Sequence, residues 1–184
     1  MRPECNSQIG MSRWILLLSI VVFAILLTVA VRHWAPARVI KRQQASLIDA
    51  IERRSSKRLE RLLSPSYQDQ WNFDQKEAAL ALSDIGSQFF SLVLTPSDSS
   101  VVFPESDVAV VTVRLEVSGQ GSPIAHEIIR TANRLKTPFT FRWRRQSFWP
   151  GDWKLIGIEN PDLPTELYGY RPGDLRRLME GDAP

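Results

Sequence analysis

Hydrophobic and polar positions divide the chain into one long apolar run, two amphipathic segments and a series of alternating segments. Residues 14–31, WILLLSIVVFAILLTVAV, are 18 residues without a charged side chain, close to the length that a helix needs to cross a bilayer core. Trp14 and Trp34 flank the run, and indole rings favour the membrane interface. The pattern predicts a transmembrane helix over residues 14–34, behind a short tail at 1–13.

Two alternatives stay open at this end of the chain. The tripeptide Ala-Pro-Ala at 35–37 resembles a signal-peptidase site, so a cleaved signal peptide competes with a retained span. The apolar run is longer than a typical signal-peptide core and basic residues follow it at once, which favours the span. Met11 also resembles a second translation start, and a protein beginning there would lack Cys5.

Helical periodicity marks two segments after the apolar run. Apolar residues recur at helical spacing over 38–63, and basic side chains occupy much of the remaining surface. This predicts one basic amphipathic helix that ends before Pro65. A second helix is expected to begin at Asp74, because Glu77 follows it in a capping-box pattern.

Alternation with a period of two then predicts an antiparallel sheet. The expected strands are 91–95, 101–103, 107–118, 139–148 and 153–159, with turns at 96–100 and 118–123. Residues 124–135 fit either a helix or the arm of a long hairpin. We therefore expect an α+β domain over 35–161, followed by a mobile tail rich in proline and glycine at 162–184.

Three stretches carry a resemblance to a known superfamily. They are LLSPSYQDQWNFDQKEAALALSDI at 62–85, VAVVTVRLEVSG at 108–119 and FTFRWRRQSFWPGDWKLIGIENP at 139–161. Their order and patterning resemble the nuclear-transport-factor-2-like superfamily, also called the cystatin-like α+β cone. The resemblance implies helices packed on a strongly curved antiparallel sheet around a cone-shaped cavity. Some members are enzymes, such as ketosteroid isomerase and polyketide cyclases, and others are binding or assembly modules, so the fold alone does not give function.

Charge is unevenly distributed, and this bears on the class of partner. The net charge is +3, but residues 32–61 carry nine Lys/Arg against three Asp/Glu, and residues 62–184 carry twelve against sixteen. In the stretch 141–158, Phe141 and Trp143 alternate with Arg142 and Arg144, so aromatic and basic side chains are expected on opposite faces. A nucleic-acid surface needs a basic footprint with both kinds together, and no nucleic-acid partner is predicted.

Cross-strand ion pairs give the arginines of that outer face an ordinary structural role. We expect Arg142 and Arg144 to share the face with Arg114 and Glu116 and to pair across strands. The alternative is that these arginines form a binding patch for an acidic partner or a lipid headgroup. Trp149, at the following turn, either covers the edge of the sheet or serves as an exposed anchor for a partner.

Candidate chemistry is sparse. With Cys5 as the single cysteine and two histidines, His33 and His126, no metal site and no cofactor are expected. Tyr67 and His126 are weak catalytic candidates: Tyr67 is interpreted first as a buried tyrosine with a satisfied hydroxyl, and His126 as a surface histidine. The resemblance implies that a cavity would be lined by Tyr67, Trp71, Val111, Val113, Phe139, Phe141 and Trp143.

The sequence thus favours a membrane-tethered, non-catalytic binding or assembly domain. The alternative is a membrane-anchored small-molecule carrier or an isomerase-like or cyclase-like enzyme that uses the cone cavity. The expected partners are the lipid bilayer and either a second copy or another membrane-complex subunit; scaffold subunits of type IV secretion systems share this layout. The residues predicted at the membrane interface are Trp14, Arg32, Trp34, Arg38, Lys41 and Arg42.

The expected location is the bacterial inner membrane, with a single span. The layout of similar single-span proteins favours a periplasmic C-terminal domain, whereas the count of basic residues on each side of the span favours a cytoplasmic one.

Overall fold

A computed structural model describes residues 18–24, 35–165 and 170–174. Residues 18–24 are helical and exposed, and the rest of the predicted span at 14–34 lies outside these ranges. Within them, no helix is both long enough and apolar enough to traverse a bilayer.

The first two helices of the domain replace the single helix predicted over 38–63. Helix α1 spans Pro36–Glu52 and helix α2 spans Ser56–Leu62. Arg54 adopts a left-handed backbone conformation with φ 54° between them, and its guanidinium donates to the carbonyl of Phe90 at 2.8 Å. The apolar spacing continues through this break, so periodicity could not reveal it; the long-range bond to Phe90 stabilises the bend.

Helix α3, Gln75–Ser87, begins as its sequence predicts. The Asp74 carboxylate accepts from the backbone N–H of Lys76 at 2.8 Å and of Glu77 at 2.9 Å. The Glu77 carboxylate accepts in return from the Asp74 N–H at 3.1 Å. This reciprocal capping box satisfies backbone donors at the helix start that have no partner within the helix.

Four antiparallel strands form one sheet in the order β1-β2-β3-β4. Their bounds are Phe89–Glu105, Val108–Gly121, Phe139–Arg145 and Trp153–Glu159. The predicted turn at 96–100 is wrong, because β1 continues through it, paired with β2, with a bulge between Ser97 and Ser100. Pro96 is tolerated there because β1 is an edge strand of the sheet.

The segment that the sequence left open is a helix. Helix α4 spans Pro123–Ala132, and the Ser122 hydroxyl accepts from the Ala125 N–H at 3.3 Å. Strand β2 extends to Gly121, so most of the turn expected at 118–123 is strand. Ala125 packs with Phe89 and Val117 in a small hydrophobic cluster, which holds α4 at the end of the β1–β2 pair.

A larger hydrophobic core lies between α1–α3 and the sheet. Phe141 and Trp143 of β3 are buried in it, whereas Arg142 and Arg144 are exposed. The alternation predicted for this strand is therefore confirmed. Strand β3 pairs with β2, from Phe139 opposite Val113 to Arg144 opposite Val108.

Parts of the tail predicted to be mobile contact the domain. Asp162 accepts from the backbone N–H groups of Lys136 and Thr137 at 2.6 and 2.8 Å. Residues 170–174 lie against α3, where the Tyr170 hydroxyl donates to the Asp84 carboxylate at 3.1 Å. Residues 166–169 and 175–184 lie outside the described ranges.

Candidate functional site

Tyr67 and Asp69 form a hydrogen-bonded pair in the loop between α2 and α3. Tyr67 is 4% exposed, and its hydroxyl donates to Asp69 Oδ2 at 3.1 Å. Asp69 Oδ1 accepts from the backbone N–H groups of Trp71 and Phe73, each at 3.0 Å. Both carboxylate oxygens are thus engaged within the loop that carries them.

Strand β4 positions this loop. The Ser64 N–H donates to the carbonyl of Leu155 at 2.8 Å, and the Gln68 N–H donates to that of Ile156 at 3.1 Å. The backbone therefore lies along β4, and Tyr67, between these two bonds, turns into the core.

Burial sets the protonation behaviour of the pair. Loss of solvent raises the pKa of the Asp69 carboxyl above its usual range, although the bonds from Phe73 and Trp71 oppose the shift. Burial, and next the charge of Asp69, raise the pKa of the Tyr67 hydroxyl. Burial therefore favours the neutral hydroxyl of Tyr67, which acts here as a hydrogen-bond donor to Asp69 and not as a base.

Sequence reasoning named Tyr67 but missed its acid. A local signal could have identified Asp69. It follows Tyr67 by two residues, and an aspartate in a loop commonly accepts from backbone N–H groups a few residues later, here those of Trp71 and Phe73.

All but one of the predicted cavity-lining side chains lie in the packed core or against it. Val111, Val113, Phe141 and Trp143 belong with Tyr67 to one buried cluster, and Phe139 packs against that cluster partly buried. Trp71 is half-buried and donates from Nε1 to the carbonyl of Pro164 at 2.8 Å.

A polar contact crosses this core. Trp143 Nε1 donates to Gln44 Oε1 at 3.1 Å. Gln44 is 6% exposed, and its Nε2 has no hydrogen-bond partner among the described residues. Gln44 lies on the buried face of α1, and helical spacing alone does not indicate which side chain would meet it.

His126 lies apart from the Tyr67–Asp69 pair. It is exposed on α4, with Nδ1 3.0 Å from the Ser122 carbonyl oxygen. With Glu127 and Arg130 it borders an open cleft of about 500 Å³, and those two residues form an ion pair with each other. Since Ala125 of the same helix packs in the smaller hydrophobic cluster, the structure does not bring His126 and Tyr67 into one site.

The arginines of the outer sheet face form ion pairs, but with partners other than those predicted. Arg142 lies 3.4 Å from Glu159 on β4, and Arg114 lies 3.8 Å from Asp98 on β1. Register is the reason: β3 begins opposite Val113, so Arg114 has no residue of β3 opposite it.

An aromatic cleft lies where the β3–β4 turn meets α1. We name residues 146–152 the aromatic turn. Trp149, Gly151 and Asp152 of this turn, together with Val39, Arg42 and Gln43 of α1, line an open cleft of about 490 Å³. Phe148, beside Trp149, is 92% exposed, and Trp149 is 54% exposed.

The membrane-interface residues predicted from the sequence divide into two groups. Arg38, Lys41 and Arg42 are exposed on the first half of α1. Trp14, Arg32 and Trp34 fall in parts of the chain that the structure does not describe. In the described ranges, no three His, Cys, Asp or Glu side chains form a group that could hold a metal ion.

Comparison with known proteins identifies the fold. No protein-family model matches the chain, and no curated protein matches it. Among solved structures, LinA is 15% identical with a TM-score of 0.53, over 74% of this chain and 92% of that one. The hexachlorocyclohexane dehydrochlorinase LinA-type3 from Novosphingobium barchaimii LL02 is 13% identical with a TM-score of 0.52, over 74% and 93%.

A further match is an NTF2-like protein from Cytophaga hutchinsonii ATCC 33406. It is 20% identical with a TM-score of 0.47, over 66% of this chain and 93% of that one. At these identities the likeness concerns the fold alone. The chain has an α+β fold similar to that of the LinA structures, with helices packed on a four-stranded antiparallel sheet.

Proposed function

We propose that this protein is a membrane-tethered, non-catalytic binding or assembly domain of the bacterial inner membrane. The observation that carries the proposal is the internal engagement of the Tyr67–Asp69 pair. The Tyr67 hydroxyl and both Asp69 oxygens have partners within one loop. A general acid or base must reach its substrate at hydrogen-bond distance, and Tyr67 is 4% exposed.

The tether is supported by the apolar run in the sequence and by the exposed basic side chains at the start of α1. An uncharged run at 14–31 precedes α1, and Arg38, Lys41 and Arg42 are exposed on the first half of that helix. Basic side chains next to a span favour contact with anionic headgroups. We place the C-terminal domain on the periplasmic side, following the layout of similar single-span proteins.

A reporter fused after Pro184 tests the orientation. A reporter that is active only after export should be active, and one that is active only in the cytoplasm should be silent. The opposite result would follow the count of basic residues and would move the domain to the cytoplasm.

Assembly is tested in mild detergent on the full chain. Crosslinking before solubilisation, followed by purification, should recover a dimer of this chain or a membrane partner in a fixed ratio. If the protein, at its natural concentration in the membrane, is recovered as a monomer without an enriched partner, the assembly role is contradicted.

A second candidate is a carrier or enzyme that uses the cone-shaped cavity implied by the resemblance. Burial raises the pKa values of both Asp69 and Tyr67, and perturbed pairs of this kind also occur in catalytic sites. LinA, which has a similar fold, is described as a hexachlorocyclohexane dehydrochlorinase. Thermal-shift screening and native mass spectrometry with small apolar ligands should show binding that Asp69→Asn or Tyr67→Phe abolishes. A ligand whose affinity ignores both changes would remove the pair from the site.

A further inference from the structure

The aromatic turn places large apolar side chains in water. Phe148 is 92% exposed and Trp149 is 54% exposed, side by side at the tip of the β3–β4 hairpin. Isolated exposed apolar side chains are common, but two adjacent aromatic ones on a projecting turn are typical of a contact surface.

This turn has a defined conformation. The Gln146 N–H donates to the Asp152 carbonyl at 2.8 Å, and the Asp152 N–H donates to the Trp149 carbonyl at 3.1 Å. Trp153 Nε1 donates to the Pro150 carbonyl at 3.0 Å. These bonds close the loop on itself, so Phe148 and Trp149 are presented without a further ordering step.

Helix α1 holds the turn near the start of the domain. Gln43 Nε2 donates to the Gly151 carbonyl at 3.2 Å. Gln43 follows Pro36 by seven residues, a distance of about 10 Å along a helix. The turn is therefore attached to the end of the domain at which the chain enters from the apolar run.

The connection between that run and α1 is short. Val31, the last residue of the run, precedes Pro36 by five residues, which span at most about 18 Å when fully extended. If the run crosses the bilayer, α1 must begin close to the headgroup layer. The aromatic turn then lies within reach of the same surface.

Charge around the turn matches an anionic surface. Arg38, Lys41 and Arg42 are exposed on α1, and Arg144 is exposed on β3 just before the turn. The acidic residues at this end are Asp152, which lines the cleft, and Glu105 and Asp107 at the adjacent β1–β2 turn, where the Asp107 carbonyl accepts from the Arg145 N–H. A two-fold contact between copies through this surface would place the same basic residues opposite one another, whereas a bilayer containing anionic lipids attracts them.

We propose that Phe148 and Trp149 insert into the interfacial layer of the bilayer, with the basic residues of α1 on the adjacent headgroups. This inference rests on the proposed tether. It adds a second membrane contact, more than 100 residues after the first, that fixes the orientation of the domain relative to the membrane. Aromatic side chains favour this layer because their rings combine an apolar body with a polarisable or polar edge.

The test uses the full chain in the Cys5→Ser background, reconstituted into vesicles of phosphatidylcholine and phosphatidylglycerol. A fluorescent label is attached at Gln146→Cys, beside the intact aromatic pair, or at Arg130→Cys as a control. Arg130 lies on α4, which follows the far end of β2: Val108 and Gly121 are thirteen residues apart, about 40 Å along a strand. Quenching by nitroxide lipids and by aqueous iodide is then measured at both positions.

The label at 146 should be quenched by lipid nitroxide and protected from iodide, and the label at 130 should behave in the opposite way. Phe148→Ser should remove most of the lipid quenching at 146. Lys41→Gln should lower the ratio of docked to undocked protein about fivefold, the equivalent of one interfacial charge, and added salt should act in the same direction.

Three other outcomes would overturn the proposal in different ways. If the chain fails to float with vesicles after alkaline washing, the tether itself is wrong. If it floats but labels at 146 and 130 are equally open to iodide, the tether stands and the docking is wrong. Protection at 146 that depends on the protein-to-lipid ratio, without lipid quenching, would identify a second copy as the occupant.

Discussion

Asp69 shows at the scale of one residue how burial and hydrogen bonding oppose each other. Three donors surround its carboxylate, from Tyr67, Trp71 and Phe73, and each favours the charged form. Loss of solvent is the larger effect and raises the pKa of Asp69 above the ordinary value of 3.8. The hydrogen bonds therefore organise the loop without fully offsetting the cost of burying the charge.

This balance predicts a dependence of stability on pH. Because the folded-state pKa of Asp69 is raised, its contribution to stability is fully present below 3.8 and is lost as the pH rises through the raised value. Asp69→Asn keeps an acceptor oxygen for Trp71 and Phe73 and cannot ionise. The variant should therefore not lose this stability, so its melting temperature should increase relative to that of the wild type as the pH rises. Circular dichroism of both proteins in detergent measures the difference.

Asp162 is a matched control of opposite sign. Backbone hydrogen bonds from Thr137 and Lys136 lower the pKa of its exposed carboxyl below 3.8. Its contribution is present above that value and is lost as the pH falls through the lowered pKa. Asp162→Asn should therefore cost stability at neutral pH and less in acid. Difference curves of the same sign for both variants would contradict the assignment of causes.

At the scale of elements, local side-chain chemistry determines where α3 begins. The Asp74 carboxylate accepts two backbone hydrogen bonds at the N-terminus of α3. Asp74→Ala should lower the free energy of unfolding by about 1 kcal/mol. Lys76→Ala, in the same turn and exposed, should change it by less than about 0.5 kcal/mol. Chemical denaturation of the full chain measures both; equal effects would show that the cap adds nothing beyond surface chemistry.

The close approach of β1 and β2 at Gly119 depends on backbone geometry. Gly119 has φ 147°, and a Cβ atom there would lie 2.0 Å from the Ser91 carbonyl oxygen. Gly119→Ala should therefore destabilise the protein by at least about 2 kcal/mol, because backbone must move to admit the methyl group.

The neighbouring residue controls for this substitution. Ser118→Ala changes an exposed side chain of the same strand and should alter the free energy of unfolding by less than about 0.5 kcal/mol. A Gly119→Ala protein with wild-type stability would show that β1 can separate from β2 at this point without loss.

At the scale of the whole molecule, a buried acid links α3 to the C-terminal segment. Asp84 is 1% exposed, and its Oδ2 accepts from the Tyr170 hydroxyl at 3.1 Å and from the Gly173 N–H at 2.5 Å. Burial, and next the charge of Asp84, raise the pKa of Tyr170, so the hydroxyl stays protonated as the donor.

Removing that hydroxyl tests the link. Tyr170→Phe leaves a buried carboxylate short of one donor and should lower the free energy of unfolding by about 2 kcal/mol. The same change in an Asp84→Ala background should cost much less, since the acceptor is gone. Strictly additive losses would show that residues 170–174 do not stabilise the domain through Asp84.

Several features of this fold follow from the sequence by itself, because their signals are local. The capping box at Asp74 joins residues three positions apart. The inward and outward faces of β3 follow from alternation, since a strand turns successive side chains to opposite sides. The α+β class rests on the order of such elements.

Tertiary structure decided what depends on partners that are distant in the sequence. The break at Arg54 is held by Phe90, the continuity of β1 by its pairing with β2, and the orientation of Gln44 by Trp143. Periodicity reports which face of an element is apolar, but not which side chain of another element meets it. The aromatic turn shows the same limit. The sequence is compatible with Trp149 either covering the sheet edge or anchoring a partner, and the position of the turn beside α1 depends on the contact between Gln43 and Gly151.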